Sequence, residues 1–393
     1  GVGTGPRAVA IDPGSNLAVV ANETSNDVTI ISLGAIRSLH LAQVSIPAAR
    51  QLAPTATLTS TIDLPLTLVG KGFLPGSIVR LDGVALPAPT SVSDRQLSVT
   101  VPASFLAGPR RYALDVLNGS TPSNALELTV IQPVDVTSTG CTAPAPRAVA
   151  IDWQRDLAVV TNRGCNNVSI IDVNTGAVTK TVAVGTNPQG VAVIPRLGRA
   201  VVTNRGSNNA SVVDVVAGTV AGTVTTGTEP LGVAINQDTG KVVVANSLSN
   251  TIAFFFADSP GPAIVSTTDQ RPVAVAIDPF RNRAAVAHAT DNSVGFFDLR
   301  LDAPPLTNRF QGVQVPTGLV FDPLSGLFVV NSSLANQLFV LNADTTQISA
   351  IRVGINPTSL AFNVQSSTFM TVNTTSGTMS VLDILSQRVR NEL

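Results

Sequence analysis

Residues 146–172 read PRAVAIDWQRDLAVVTNRGCNNVSIID, and residues 6–32 read PRAVAIDPGSNLAVVANETSNDVTIIS. The two stretches are the same unit written twice. It returns from Pro188, Pro230, Pro272, Pro316 and Pro357, which makes seven copies; from Pro146 onward the starts lie 42, 42, 42, 44 and 41 residues apart. A period of this length built from short apolar runs is that of a four-stranded β-propeller blade.

Each copy contains three β-branched runs separated by turn residues, then a fourth run closing on Gly and Pro, here called strands A to D. The A-to-B turn carries Asp12, Asp152, Asn236, Asp278 or Asp322. Such a side chain accepts from backbone amides two residues on and tightens the turn. Asn22, Asn162, Asn204, Asn246, Asn331 and Asn373 recur at the end of strand B, with His288 in the fifth copy, and are expected to act in the same way. Recurrence in nearly every copy argues for a structural role, because a catalytic residue is needed once. Strand A, as in Ala8-Val9-Ala10-Ile11, does not alternate apolar with polar. A sheet covered on both faces requires that. Small residues near a central axis also reconcile 44% hydrophobic content with 4% aromatics.

The in-phase pattern VxVAxD…VxVxN…xVSxID…xxVxVGxxP resembles the YVTN family of β-propeller repeats over all seven copies. The name-giving Tyr is absent, its motif reading AVVAN, AVVTN or VVVAN. The resemblance implies a seven-bladed all-β propeller with blades of about 42 residues. It also implies an exported bacterial or archaeal protein of the cell surface or periplasm that scaffolds rather than catalyses.

The first two copies start 140 residues apart, an excess of about 98 over one blade. Between them the pattern becomes a series of short strands with turn signals every ~8–12 residues, as in an immunoglobulin-like β-sandwich. The GxGFxPGS stretch (70–77), the SxxQLxVxVP stretch (93–102) and Ser123-Asn124-Ala125 resemble the IPT/TIG class of such domains. The expected division is 1–46 for the first part of blade 1 with a linker, 47–133 for the inserted domain, and 134–393 for the rest of the propeller. Residues 134–139 are expected to supply the fourth strand of blade 1 and 36–44 a linker or an extra strand, the alternative giving the fourth strand to 36–44.

Charged residues are only 12%, about half the ~25% of soluble domains, with 24 Lys+Arg against 25 Asp+Glu and a formal net charge of −1. No basic run is present to neutralise a phosphate backbone, so nucleic acid is not an expected partner. No apolar stretch approaches the ~18 residues of a membrane span, and residues 1–6 do not read as a signal peptide. The two His (His40, His288) and two Cys (Cys141, Cys165) have no zinc or haem spacing. No nucleophile elbow or phosphate loop is found, and no cofactor is expected. Seven-bladed propellers of similar kind include antibiotic-linearising lyases, which would need a metal-supported His/Glu constellation at the channel mouth; His288 stands alone in the propeller copies. It is read as a solvated loop side chain.

Arg7 and Arg147 follow the opening Pro of their copies and Arg271 precedes it, so all three are expected near the mouth of the channel. Together with His288 they are the candidate ligand contacts there. The D-to-A and B-to-C loops of a blade emerge on one face. Cys141 lies in the loop entering the second copy and Cys165 in that copy's B-to-C loop, so a disulfide is expected, favouring an oxidising compartment. The expected function is that of a non-enzymatic extracellular or cell-surface structural or adhesive protein working through protein contacts, self-assembling into a sheath, layer or filament. The alternatives are a periplasmic or surface protein that captures a small ligand, glycan or peptide at the mouth and, third, a metal-dependent lyase.

Overall fold

The computed structural model describes residues 3–12, 17–32, 44–45, 51–53, 56–58, 63–69, 73–93, 96–108, 110–123, 126–138, 141–342, 347–363, 368–383 and 388–392. The second repeat shows how a copy folds. Pro146–Asp152, Leu157–Asn162, Asn167–Asp172 and Val178–Ala183 form one antiparallel sheet in chain order. Its second and third strands are buried almost throughout, whereas Val178–Ala183 buries only Val182. The apolar runs are thus inner strands covered on both faces, and the polar fourth run is the rim. The copies from Pro188, Pro230, Pro272, Pro316 and Pro357 repeat this order.

The first strands pack side by side in chain order, from Pro6–Asp12 through Pro146–Asp152 and onward, and Pro357–Asn363 packs back against Pro6–Asp12. The chain is therefore all-β and propeller-like. Apolar clusters fill the junctions between successive sheets. At the closing junction, Val9, Ala18 and Val20 meet Met370 and Met379, the only two methionines of the chain. Unbranched thioether side chains fit an irregular seam well. The last sheet takes its fourth strand, Arg388–Glu392, from the tail that follows it, so closure is by packing and not by exchange of a strand.

The strand-B asparagines do structural work, but through bonds other than those expected. Asn162 is fully buried and its Nδ2 donates to Asn167 Oδ1 at 2.7 Å and Ser169 Oγ at 2.8 Å, five and seven residues on. Asn204 and Asn373 bond their own third strands in the same way. The expectation for Asn331 needs correcting. Pro316 pairs with Ser332, as Pro6 pairs with Asn22, so Ser332 holds the repeat position and Asn331 sits one residue early. There it accepts from Thr371 Oγ1 of the next sheet at 3.3 Å. In the A-to-B turns the amide bonding is as expected: Asp322 Oδ1 accepts from Leu324 N at 2.9 Å, and Asn236 Oδ1 from Asp238 N at 3.0 Å.

A second set of asparagines ties neighbouring sheets. Asn26, Asn166, Asn208, Asn250, Asn292 and Asn336 lie in the B-to-C turns with φ between 53° and 57°. Asn is among the few residues that tolerate this left-handed conformation. Each Oδ1 accepts the backbone N–H of the residue before the next copy's opening Pro, at 2.8–3.1 Å. The seventh copy has Gly377 in this place, and the residue before Pro6 is Gly5, so the closing junction is made without this side-chain latch.

The segment between the first two copies builds two packed sheets around a core of its own. Leu64, Leu66, Leu97 and Val99 from one meet Val79, Leu81, Tyr112, Leu114 and Leu128 from the other. Leu126–Asp135 belongs to both bodies. Residues 126–130 pair with Arg110–Asn118, and residues 131–135 pair with Asp27–Ser32 as the fourth strand of the first propeller sheet. The fourth strand thus lies at 131–135, not at 134–139 or 36–44, and the boundary expected between 133 and 134 falls inside it. At the other end Val44–Ser45 pairs with Leu64–Val69, so it joins the inserted body; residues 36–43 of the expected linker lie outside the described residues.

Candidate functional site

The opening prolines place the next residue of each first strand at one end of the axis, where the D-to-A and B-to-C loops gather. A cavity of about 530 Å³ opens there. Its entrance is ringed by Arg7, Arg147, Gln189, Leu231, Val273, Thr317 and Thr358, the residues following each opening Pro. One residue deeper lie small side chains or none. A Cβ on Gly232 would come within 2.7 Å of Val273 O and of Ala274 Cα, so the neighbouring backbone occupies that space. One residue deeper again the lining is apolar, with Val9, Val149, Val191, Val233, Val275, Leu319 and Leu360.

The entrance is asymmetric. Glu23, next to the strand-B Asn of the first copy, takes three guanidiniums: Arg7, which donates from Nε to its Oε2, Arg163 at 3.0 Å and Arg147 at 3.5 Å. Arg147 Nε also donates to Gln189 Oε1 at 3.2 Å, and Gln189 Nε2 to Asn187 Oδ1 at 2.6 Å. Alongside, Arg205 pairs with Glu229 at 2.9 Å. Burial holds the Arg147 guanidinium below its ordinary pKa, and Arg7, Arg163 and Arg205 press in the same direction against the opposing pull of Glu23.

Arg7, Arg147 and Arg271 all line this cavity. Arg271 is exposed and stands apart from the Glu23 group, its backbone in the left-handed region and its N–H held by Asn250 Oδ1. His288 is not at the entrance and is not solvated, contrary to both readings made of it. It is fully buried at the strand-B position, with Nε2 2.6 Å from Thr268 Oγ1 and Nδ1 3.4 Å from Ser293 Oγ. Burial drives its pKa down to about 4, with Asp291 opposing and Arg309 reinforcing the shift. Cys141 and Cys165 form a disulfide with Cα atoms 5.8 Å apart, joining the two loops expected to meet.

Glu23, Arg163 and Arg205 were not picked out from the sequence. In the antiparallel pairing of Pro6 with Asn22, Arg7 is the bulged residue and Glu23 lies opposite Gly5, so the two side chains meet only diagonally across the strand ends, a relation that no spacing in the sequence marks. Among the described residues no group of three or more His, Cys, Asp or Glu is placed to hold a metal, and no helix is long and apolar enough to cross a membrane.

No family model matches the chain, and no curated protein matches it. Among solved structures, Kuenenia stuttgartiensis Hydrazine Synthase is similar at 17% identity and a TM-score of 0.47, over 64% of this chain and 98% of that one. A likeness this distant has no bearing on activity.

Proposed function

We propose that the chain is a seven-bladed propeller of the YVTN kind carrying an immunoglobulin-like insert of the IPT/TIG kind, and that it is an exported structural or adhesive protein without enzymatic activity. It works by protein contact and associates with copies of itself through the insert. The observation that carries this reading is the strand Leu126–Asp135, hydrogen-bonded into both bodies. A domain meant to swing on a linker has no use for a shared strand; an arm that presents a contact surface at a set angle does. The insert ends the shared sheet on the two-residue strand Val84–Ala85, where Val84 is exposed, with Leu74 and Ile78 exposed nearby in sequence. An open sheet edge with apolar side chains is a site for strand addition. A net charge near zero weakens the repulsion that keeps proteins monomeric. The disulfide suits an oxidising, extracytoplasmic compartment.

Sedimentation of the whole chain over a range of concentrations tests the reading. Mass rising with concentration, and falling back to the monomer for Val84→Lys with an unchanged melting curve, is the expected outcome. A monomer at every concentration overturns it.

A further inference from the structure

The entrance of the axial cavity holds a charge excess that the described side chains around it do not cancel. Arg7, Arg147 and Arg163 share one carboxylate, that of Glu23, which leaves three positive charges against one negative. The neighbouring Arg205–Glu229 pair is neutral and contributes nothing to the balance. Two of the three guanidiniums, Arg7 and Arg147, line the cavity, with side chains about one-third exposed: open enough to meet a ligand, and screened enough for a charge there to count. Around Arg147 itself, Arg7 and Arg163 act against the single anion Glu23.

Opposite this sector the entrance presents Leu231 and Val273, with the exposed Arg271 at its outer margin, and the deeper ring consists of Val and Leu side chains. A cavity of about 530 Å³ with an apolar body and a few convergent polar groups on one side is the usual form of a small-molecule site. An inorganic anion would leave the apolar ring unfilled, and a neutral apolar molecule would leave the arginines unanswered. We propose that this cavity binds a small organic monoanion, with a carboxylate head on Arg7 and Arg147 and a short hydrocarbon body against the valine ring. Planar guanidiniums are the side chains suited to bidentate capture of a carboxylate. This site goes beyond the contact function above and is independent of it, since it uses no residue of the insert.

Isothermal titration of the whole chain with acetate, butanoate and hexanoate, and with hexylamine and inorganic phosphate as counter-probes, tests the proposal. The carboxylates should bind with affinity rising about fourfold per added methylene, while hexylamine shows no binding and phosphate binds more weakly than hexanoate. Arg147→Met should weaken hexanoate by about tenfold or more, the loss of a charge-assisted hydrogen bond. Arg7→Gln serves as the second variant should Arg147→Met not fold. Glu23→Gln should tighten hexanoate, a direction that a merely structural Glu23 would not produce. Arg300→Gln, on the exposed partner of Asp298, should change nothing. The proposal is overturned if none of the carboxylates binds, if affinity is flat with chain length, if phosphate or hexylamine binds as well as hexanoate, or if folded Arg147→Met and Arg7→Gln bind like the parent.

Discussion

The imidazole of His288 fills the space that a side chain on residue 295 would need: a Cβ built on Gly295 would lie 2.9 Å from His288 Cε1. In four other copies the corresponding pair is a buried Asn with Thr29, Ser169, Ser211 or Ser380 seven residues on, joined by a hydrogen bond. The fifth copy has exchanged an Asn–hydroxyl pair for a large ring beside a residue with no side chain. The ring occupies the volume that the hydroxyl-bearing side chain fills in those copies.

Acid should destabilise the protein through this histidine. Its folded pKa, about 4, lies below the ordinary 6.5, so the unfolded chain binds the proton first. The stability contributed by the neutral ring is complete above pH 6.5 and is lost as pH falls toward 4. A difference of this size is worth about 3 kcal/mol for a fully buried ring. Asp269, 3.9 Å from Nδ1 and paired to Arg309, and Asp291 face it; the pull of Asp291 opposes the shift without overcoming burial. Urea unfolding between pH 7.5 and 4 should show a steeper loss for the native chain than for His288→Asn; parallel curves would remove His288 as the cause.

Gly295→Ser alone should cost about 1–3 kcal/mol, the range of overpacking in a filled interior. The Cβ would also meet Leu306 Cδ1, the end of a flexible side chain that can turn away. His288→Asn with Gly295→Ser should recover much of that loss, because the pair then matches Asn162–Ser169, Asn204–Ser211 and Asn373–Ser380. Denaturant midpoints of the two single variants and the double variant measure the coupling, and strict additivity would contradict it.

The latches between sheets give a graded prediction. Asn250→Gly keeps the left-handed turn and removes only the bond to Arg271 N, so it should cost about 1 kcal/mol. Gly377→Asn adds the latch missing from the closing junction. Its φ is 65° and a Cβ there meets nothing within 4 Å, so Asn fits without strain. Thermal melts should show Asn250→Gly lowered and Gly377→Asn raised; a lowered melt for Gly377→Asn would mean that Gly5 N–H is out of reach.

Much of the fold was legible because the repeat is a covalent record of its own packing: a two-sided apolar strand reads the same in every copy. What escaped was whatever depends on one residue of register or on neighbours distant in sequence. Asn331 counted as a member of its set until pairing placed Ser332 opposite Pro316. Leu126–Asp135 looked like the end of one domain, because no local pattern marks a strand that changes partners halfway. Arg7 and Arg147 were found by position, but Glu23, which gathers them, lies in a turn whose counterparts, such as Arg163 and Ser247, do not mark it as special.

Reduction of Cys141–Cys165 should destabilise the chain by on the order of 3 kcal/mol, the entropy of a loop of about this length, 24 residues apart in sequence. The bond holds the loop returning from the insert against the second sheet. Cys141→Ser with Cys165→Ser should lower the melting temperature equally with and without reductant, whereas the native chain should fall only with it. Insensitivity of the native chain to reductant would show that the bond contributes little.

Amide hydrogen exchange along Leu126–Asp135 in the intact chain tests most directly the coupling on which the contact function depends. Both halves of this strand are bonded, residues 126–130 to Arg110–Asn118 and 131–135 to Asp27–Ser32. The result predicted is slow exchange of the ladder-bonded amides in both halves, at rates like those of Asp27–Ser32, continuing through Val130 and Ile131, which also pair with Thr57 and Leu58, Pro133 having no amide. Fast exchange at Val130 and Ile131 between two protected halves would mark a hinge and contradict the rigid arm.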